Sequence, residues 1–202
     1  MSLPLVCAPF QSTLMRFIKE YPELELELDF SDRLVDIIEE GFDAVVRTGQ
    51  LTDSRLVSRA LGKCRMVLVA APEYFSENGL PGSVDALEEH SCLRFKSSTT
   101  GKLQQWPLPD VPHVNLRTRL TCSHIEMLHY AALSGAGIAC LPDFLARESL
   151  QRNLLQVVLE AETRNSTDFH LVWPDSNWCP PKLRVFIEFM AMHFLNDSDS
   201  ST

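Results

Sequence analysis

The side chains of this chain that could do chemistry gather in short polar stretches: Phe10-Gln11-Ser12-Thr13, Phe30-Ser31, Arg47-Thr48, Phe95-Lys96-Ser97 and Ser123-His124-Ile125. Hydroxyls, a guanidinium and an ammonium at such places suit non-covalent capture of a small anion. A helix start offers unpaired N–H groups and the positive end of its dipole, and both attract negative charge. Arg47 adds a fork able to hold a carboxylate through two parallel hydrogen bonds. Catalytic patterns are missing. His124, Glu126 and His129 stand close, but histidines five apart on a helix point to different faces, unlike H-E-x-x-H. No G-x-S-x-G, phosphate loop or G-x-G-x-x-G occurs, and Gly135-Ala-Gly137 reads as a helix end. No catalytic residue, metal ligand or cofactor is therefore expected. Each site candidate also has a plainer use. Ser31 and Ser123 can simply cap helices, Arg47 can pair with Asp43 or Asp53, and Phe10 and Phe95 can belong to the core. Sequence alone leaves both uses open.

The elements that would position these residues come next. Leu24, Leu26 and Leu28 alternate with Glu25, Glu27 and Asp29, as in a strand with one buried face. Ser31 and Asp32 suit a helix start, Leu34, Ile37, Ile38 and Phe42 recur at helical spacing, and Gly41 ends the run. Asp43-Ala-Val-Val46 then reads as a short buried strand, completing a strand–helix–strand unit. In an open parallel sheet, ligands sit beyond the carboxyl ends of the strands, here Phe30-Ser31 and Arg47-Thr48-Gly49.

Residues 4–8 read as a first buried strand and Pro9–Thr13 as a turn into a helix that runs through Tyr21, stopped by Pro22. Leu56–Leu61, Met66–Ala71 and Cys92–Phe95 are further strands, and Ser83 caps a short helix through Glu89. Val114–Leu120 alternates like a half-exposed strand. Ser123 and Glu126 have capping-box spacing before a helix closed by Gly135. Gly137–Pro142 is a buried strand, so a second strand–helix–strand unit spans 114–141. A short helix over 143–150, strands at 154–159 and 169–173, and a last helix from Pro181 follow. Residues 196–202 read as a disordered acidic tail.

The 202 residues, 45% apolar and 22% charged, can bury a sizeable core. No apolar run reaches a membrane span, and the first residues lack the basic region of a secretory signal. The net charge of −9 argues that this chain does not hold DNA through its own surface. Cysteines at 7, 64, 92, 122, 140 and 179 include no C-x-x-C, and several lie in apolar runs. They read as reduced, buried thiols of a cytoplasmic protein, with a redox pair formed after folding still open.

Residues Leu34–Gly49 (LVDIIEEGFDAVVRTG), Ser58–Ala60, Val67–Phe75 (VLVAAPEYF), Ser134–Pro142 (SGAGIACLP) and Pro181–Met190 together resemble the effector-binding domain of LysR-type transcriptional regulators. The resemblance covers roughly residues 4–195. It implies a type 2 periplasmic-binding-protein fold: lobe one over 3–70 plus 169–195, lobe two over 71–168, and a ligand cleft between them. It also puts the family's inducer contacts at the polar turns named above. The version DAVVR with APEYF suggests a small carboxylic acid as effector, and the family resemblance implies a homodimer or homotetramer as the assembly. The winged helix-turn-helix expected before Leu3 is absent from this chain, so DNA is expected to be a partner only through that domain. A solute-binding receptor for transport shares the fold and is the alternative.

Overall fold

The computed structural model describes residues 8–29, 36–48, 55–98, 100–109, 115–163, 166–175 and 179–199. In chain order its elements are α1 (Ala8–Glu20), β1 (Val45–Thr48), β2 (Leu56–Ala70), α2 (Pro72–Asn78), β3 (Cys92–Phe95), β4 (Thr118–Cys122), α3 (Ile125–Leu133), β5 (Ile138–Pro142), α4 (Asp143–Gln151), β6 (Gln156–Val158), β7 (Ser166–Pro174) and α5 (Pro181–Asp199). Single 3-10 turns span Asp85–Glu89 and Glu160–Thr163. The chain divides into two compact units, Met1–Cys64 with Thr167–Thr202, and Arg65–Ser166.

The first unit is built on two helices and a ribbon of strands. Phe10, Leu14 and Phe17 recur at helical spacing and are buried, so α1 turns one stripe inward. Phe17 is packed on three rings, Tyr21 at 4.9 Å, Phe186 at 5.1 Å and Phe189 at 5.2 Å. The stripe of α5 is Leu183, Ile187, Met190 and Phe194. No Gly or Pro interrupts α5 after Pro181, and it runs to Asp199, into the stretch expected to be disordered. Strand β1 pairs antiparallel with β7, Val45 opposite Val172 and Thr48 opposite Phe169. Beyond β7 lies β2, and the Asp175 N–H donates to the Arg55 carbonyl at 2.7 Å.

Here the structure departs from the sequence expectations. Residues 24–29 form no strand, and the Leu24 N–H folds back to the Tyr21 carbonyl at 3.1 Å. Alternation specifies a face but supplies no partner, and Leu28 is exposed. With no strand over 24–29, the first strand–helix–strand unit is not formed among the described residues, and β1 pairs instead with β7. Of the helix expected after Ser31, the described part is a turn over 37–41. The Asp36 carboxylate accepts the Ile38 and Glu39 N–H groups, and Gly41 takes φ +74°. Residues 4–7 lie outside the described residues, and Ala8 already belongs to α1. The strands expected at 56–61 and 66–71 are one continuous strand, β2.

The second unit is a sheet in the order β6-β2-β5-β3-β4. Strand β3 is parallel to both β4 and β5, whereas β2 is antiparallel to β5 and β6. The path β4–α3–β5 is thus a crossover between parallel strands on either side of β3, as the 114–141 pattern leads one to expect, although β4 starts only at Thr118. Both faces of the sheet are covered, which explains why β3 and β5 are buried at every residue and why β5 is apolar without alternation. On one face Val67, Val69, Leu93, Phe95 and Leu141 pack with Ile125, Leu128 and Ala132 of α3 and Ala146 of α4. On the other, Leu68, Cys92, Ile138 and Cys140 pack with Tyr74, Phe75, Leu87 and Trp106.

Candidate functional site

In the first unit the polar residues expected at a turn lie inside α1. Helix starts leave the N–H groups of their first turn unpaired. With the helix beginning at Ala8, that turn ends near Gln11 rather than beginning there. Gln11 and Ser12 are exposed, while Thr13 is buried. Phe10 is a core residue, edge-on to Phe194 at 6.4 Å. Phe194 in turn meets Phe169 at 5.9 Å, and Phe169 lies opposite Thr48 in the β1–β7 ladder. This chain of rings ties the start of α1 to the end of β1, where Arg47 stands half-buried. Of the competing partners for Arg47, Asp43 is engaged by Lys182 at 3.2 Å. Asp53, Phe30 and Ser31 lie outside the described residues.

In the second unit the two expected stretches are brought together. Phe95 pairs in register with Cys122, and the Lys96 N–H donates to the Cys122 carbonyl at 2.9 Å. The carboxyl ends of β3 and β4 therefore lie side by side, with α3 starting immediately after. Phe95 and Ile125 point into the core. Lys96, Ser123 and His124 are exposed. Ser97 closes a turn: its hydroxyl accepts the Thr100 N–H at 3.2 Å and its carbonyl the Gly101 N–H at 2.8 Å.

The capping box does not form. His124 occupies the cap position with extended backbone and no side chain caps α3. Burying Ile125 and Leu128 fixes where the helix begins, one residue later than a Ser123 cap requires. The result is a helix start without a side-chain cap, beside Lys96, at the carboxyl ends of parallel strands. Such a place attracts an anion. Glu126 in the first turn opposes it and sits 3.7 Å from the His124 ring. Cys122, missed by sequence reasoning, accepts the His124 N–H on its sulfur at 3.4 Å. Its only sequence signal was its place directly before Ser123.

A separate open pocket of about 640 Å3 is lined by Arg65, Val67, Glu160, Ala161 and Thr163, none of them a sequence candidate. Arg65 stands 3.5 Å from Asp143 there. Among the described residues no group of His, Cys, Asp or Glu could hold a metal ion. No helix among them is long and apolar enough to cross a membrane.

Residues 4–195 match the family described as LysR substrate binding domain. This chain belongs to that family. The HTH-type transcriptional regulator CrgA of Neisseria meningitidis serogroup C (strain 8013) is 32% identical over 200 residues, covering 97% of this chain and 66% of CrgA. The regulator YhjC of Escherichia coli K12 is 34% identical over 185 residues, 88% of this chain and 60% of YhjC. The chain thus spans just under two thirds of the length of these relatives. The solved CrgA regulatory domain from Neisseria meningitidis superposes with a TM-score of 0.83 at 30% identity, covering 96% of this chain and 95% of that one. The fold is accordingly the type 2 periplasmic-binding-protein-like α/β fold, and the chain is the effector-binding domain of a LysR-type regulator.

Proposed function

We propose that this domain senses a small carboxylated metabolite, held by polar element ends. The start of α3 without a side-chain cap, beside Lys96 at the ends of β3 and β4, carries this reading. In the whole protein, the effector biases a homodimer or homotetramer whose DNA contacts belong to an N-terminal helix-turn-helix domain. An effector can shift that assembly only as far as it prefers one state over another. That the relatives are transcriptional regulators supports sensing rather than catalysis, and a cytoplasmic location. The division of the chain into two compact units supports the reading of two lobes. Gln11, Ser12, Arg47, Thr48, Lys96, Ser97, Ser123 and His124 are the contact candidates, with Phe10, Thr13, Phe95 and Ile125 shaping the walls from the core. The net charge of −9 repels an approaching anion at long range, so affinity must arise locally. Thermal shift against a metabolite library tests the proposal. Carboxylic acids should raise the melting temperature, and Arg47→Ala should weaken that response without unfolding the apo domain. Stabilisation by neutral or cationic compounds alone would refute it.

A further inference from the structure

The β1–β7 ladder places His170 directly opposite Arg47. Opposed residues in an antiparallel pair leave the same face of the ribbon, with Cβ atoms about 4.5–5.5 Å apart. Phe169 and Leu171 occupy the other face and are buried, Phe169 against Phe194 of α5. Arg47 and His170 thus leave together, away from the α5 side. Both are half-buried. The Nδ1 atom of His170 is fully buried and has no hydrogen-bond partner among the described residues. Buried polar atoms in native proteins nearly always have a partner, and an exception asks for one. An imidazole can carry its proton on either nitrogen, so Nδ1–H is available as a donor.

We propose that His170 is a specificity-determining residue of the effector site, its Nδ1–H donating to the carboxylate that Arg47 holds. This rests on the effector reading given above and assigns it a residue. The guanidinium supplies charge and two parallel donors, and the imidazole supplies a third donor whose position selects a planar, two-oxygen anion. A neutral amide of the same shape presents one oxygen instead of two and no charge.

The probes are benzoate and succinate, with benzamide and succinamide as uncharged counterparts, titrated into the domain with 15N-labelled histidines. The His170 resonance is assigned from its loss in His170→Asn. A carboxylate should move the His170 Nδ1 resonance while its amide leaves it in place. His170→Phe, which removes the donor, should weaken carboxylate binding about tenfold, the usual scale for a lost hydrogen bond to a charged group. His170→Asn, which keeps a donor near the Nδ1 position, should retain most of it. If carboxylates stabilise the domain and His170→Phe binds them like the parent, this assignment is wrong and the carboxylate reading stands. If only the amides stabilise it, both fall together.

Discussion

Gly137 tests the packing of the second unit most sharply. A Cβ built there would stand 2.3 Å from the Ser91 carbonyl oxygen and 3.0 Å from its carbon. The same oxygen accepts the Ile138 N–H at 2.8 Å, the bond that brings the start of β5 onto the chain entering β3. Relieving the clash to an ordinary carbon–oxygen separation of about 3.3 Å requires roughly 1 Å of backbone movement. That movement stretches the Ile138 bond, worth about 1 kcal/mol. Overpacking adds about 1–3 kcal/mol, and φ of +152° adds strain that alanine tolerates poorly. Gly137→Ala should therefore cost roughly 3–5 kcal/mol. Gly135, two residues earlier, is the control. It has φ of +71° with open space around it, so Gly135→Ala should cost only the left-handed penalty of about 1–2 kcal/mol. For a chain of this size each kcal/mol moves Tm by about 2–4 °C, so Gly137→Ala should melt roughly 10 °C below the parent. Calorimetry of the three proteins at one pH is the assay. A Gly137→Ala protein melting within about 2 °C of Gly135→Ala would show that β3 and β5 do not approach as described.

The remaining predictions concern buried polar groups of the same unit. Arg94 is 6% exposed; it donates to the Gln104 carbonyl at 3.1 Å, lies 5.7 Å from the Trp106 ring, and leaves Nε without a partner among the described residues. A buried cation without a carboxylate favours replacement by an apolar group of similar volume, so Arg94→Met should change stability by no more than about 1 kcal/mol in urea denaturation. A loss above about 3 kcal/mol would refute this. Burial lowers the pKa of His90, against Glu89, and of His129, against Glu126 and Glu148, below the ordinary 6.5. The unfolded chain then binds protons that the native one refuses, so stability present above pH 6.5 is lost as pH falls through that value. His129→Gln should flatten that slope in urea melts between about pH 7.5 and 5.5, and stability rising on acidification would contradict it. Burial pushes the Cys92 thiol up to about 11, against the opposing Arg94. Iodoacetamide under native conditions should therefore label half-buried Cys122 and Cys179 well before Cys92, and the reverse order by mass spectrometry would refute this.

The second unit was legible in the sequence because its strands are covered on both faces. A continuous apolar run such as Ile138–Pro142 then marks a strand whatever its neighbours. The first unit was less so. Its β1–β7 pairing joins segments more than a hundred residues apart, and no local pattern specifies an antiparallel partner at that distance. Alternation at Leu24, Leu26 and Leu28 suggested a strand that has none. Site residues divide along the same line. Lys96, Ser97, Ser123 and His124 could be put forward as candidates because they follow strand ends that could be read. Phe10, Phe95 and Ile125 sit at those ends but turn inward, since one large apolar side chain per element end is what anchors the end to the core. His170 carried no signal, because its significance lies wholly in the residue across the ladder.

An acidic chain with an anion-attracting site is not contradictory once distances are considered. At physiological ionic strength charges are screened over about 8 Å, so most of the net charge of −9 is faint at any one element end. Helix-start amides and a lysine one strand away act well inside that length. The same argument makes Glu126 the acidic group of the described residues with most weight at α3, because it lies in the first turn itself. Its proximity to the His124 ring at 3.7 Å draws its charge toward a neighbour on the rim of the site. Selectivity for one anion over another at the start of α3 then rests on donors with fixed positions, the backbone amides of its first turn, more than on the sign of the surrounding surface.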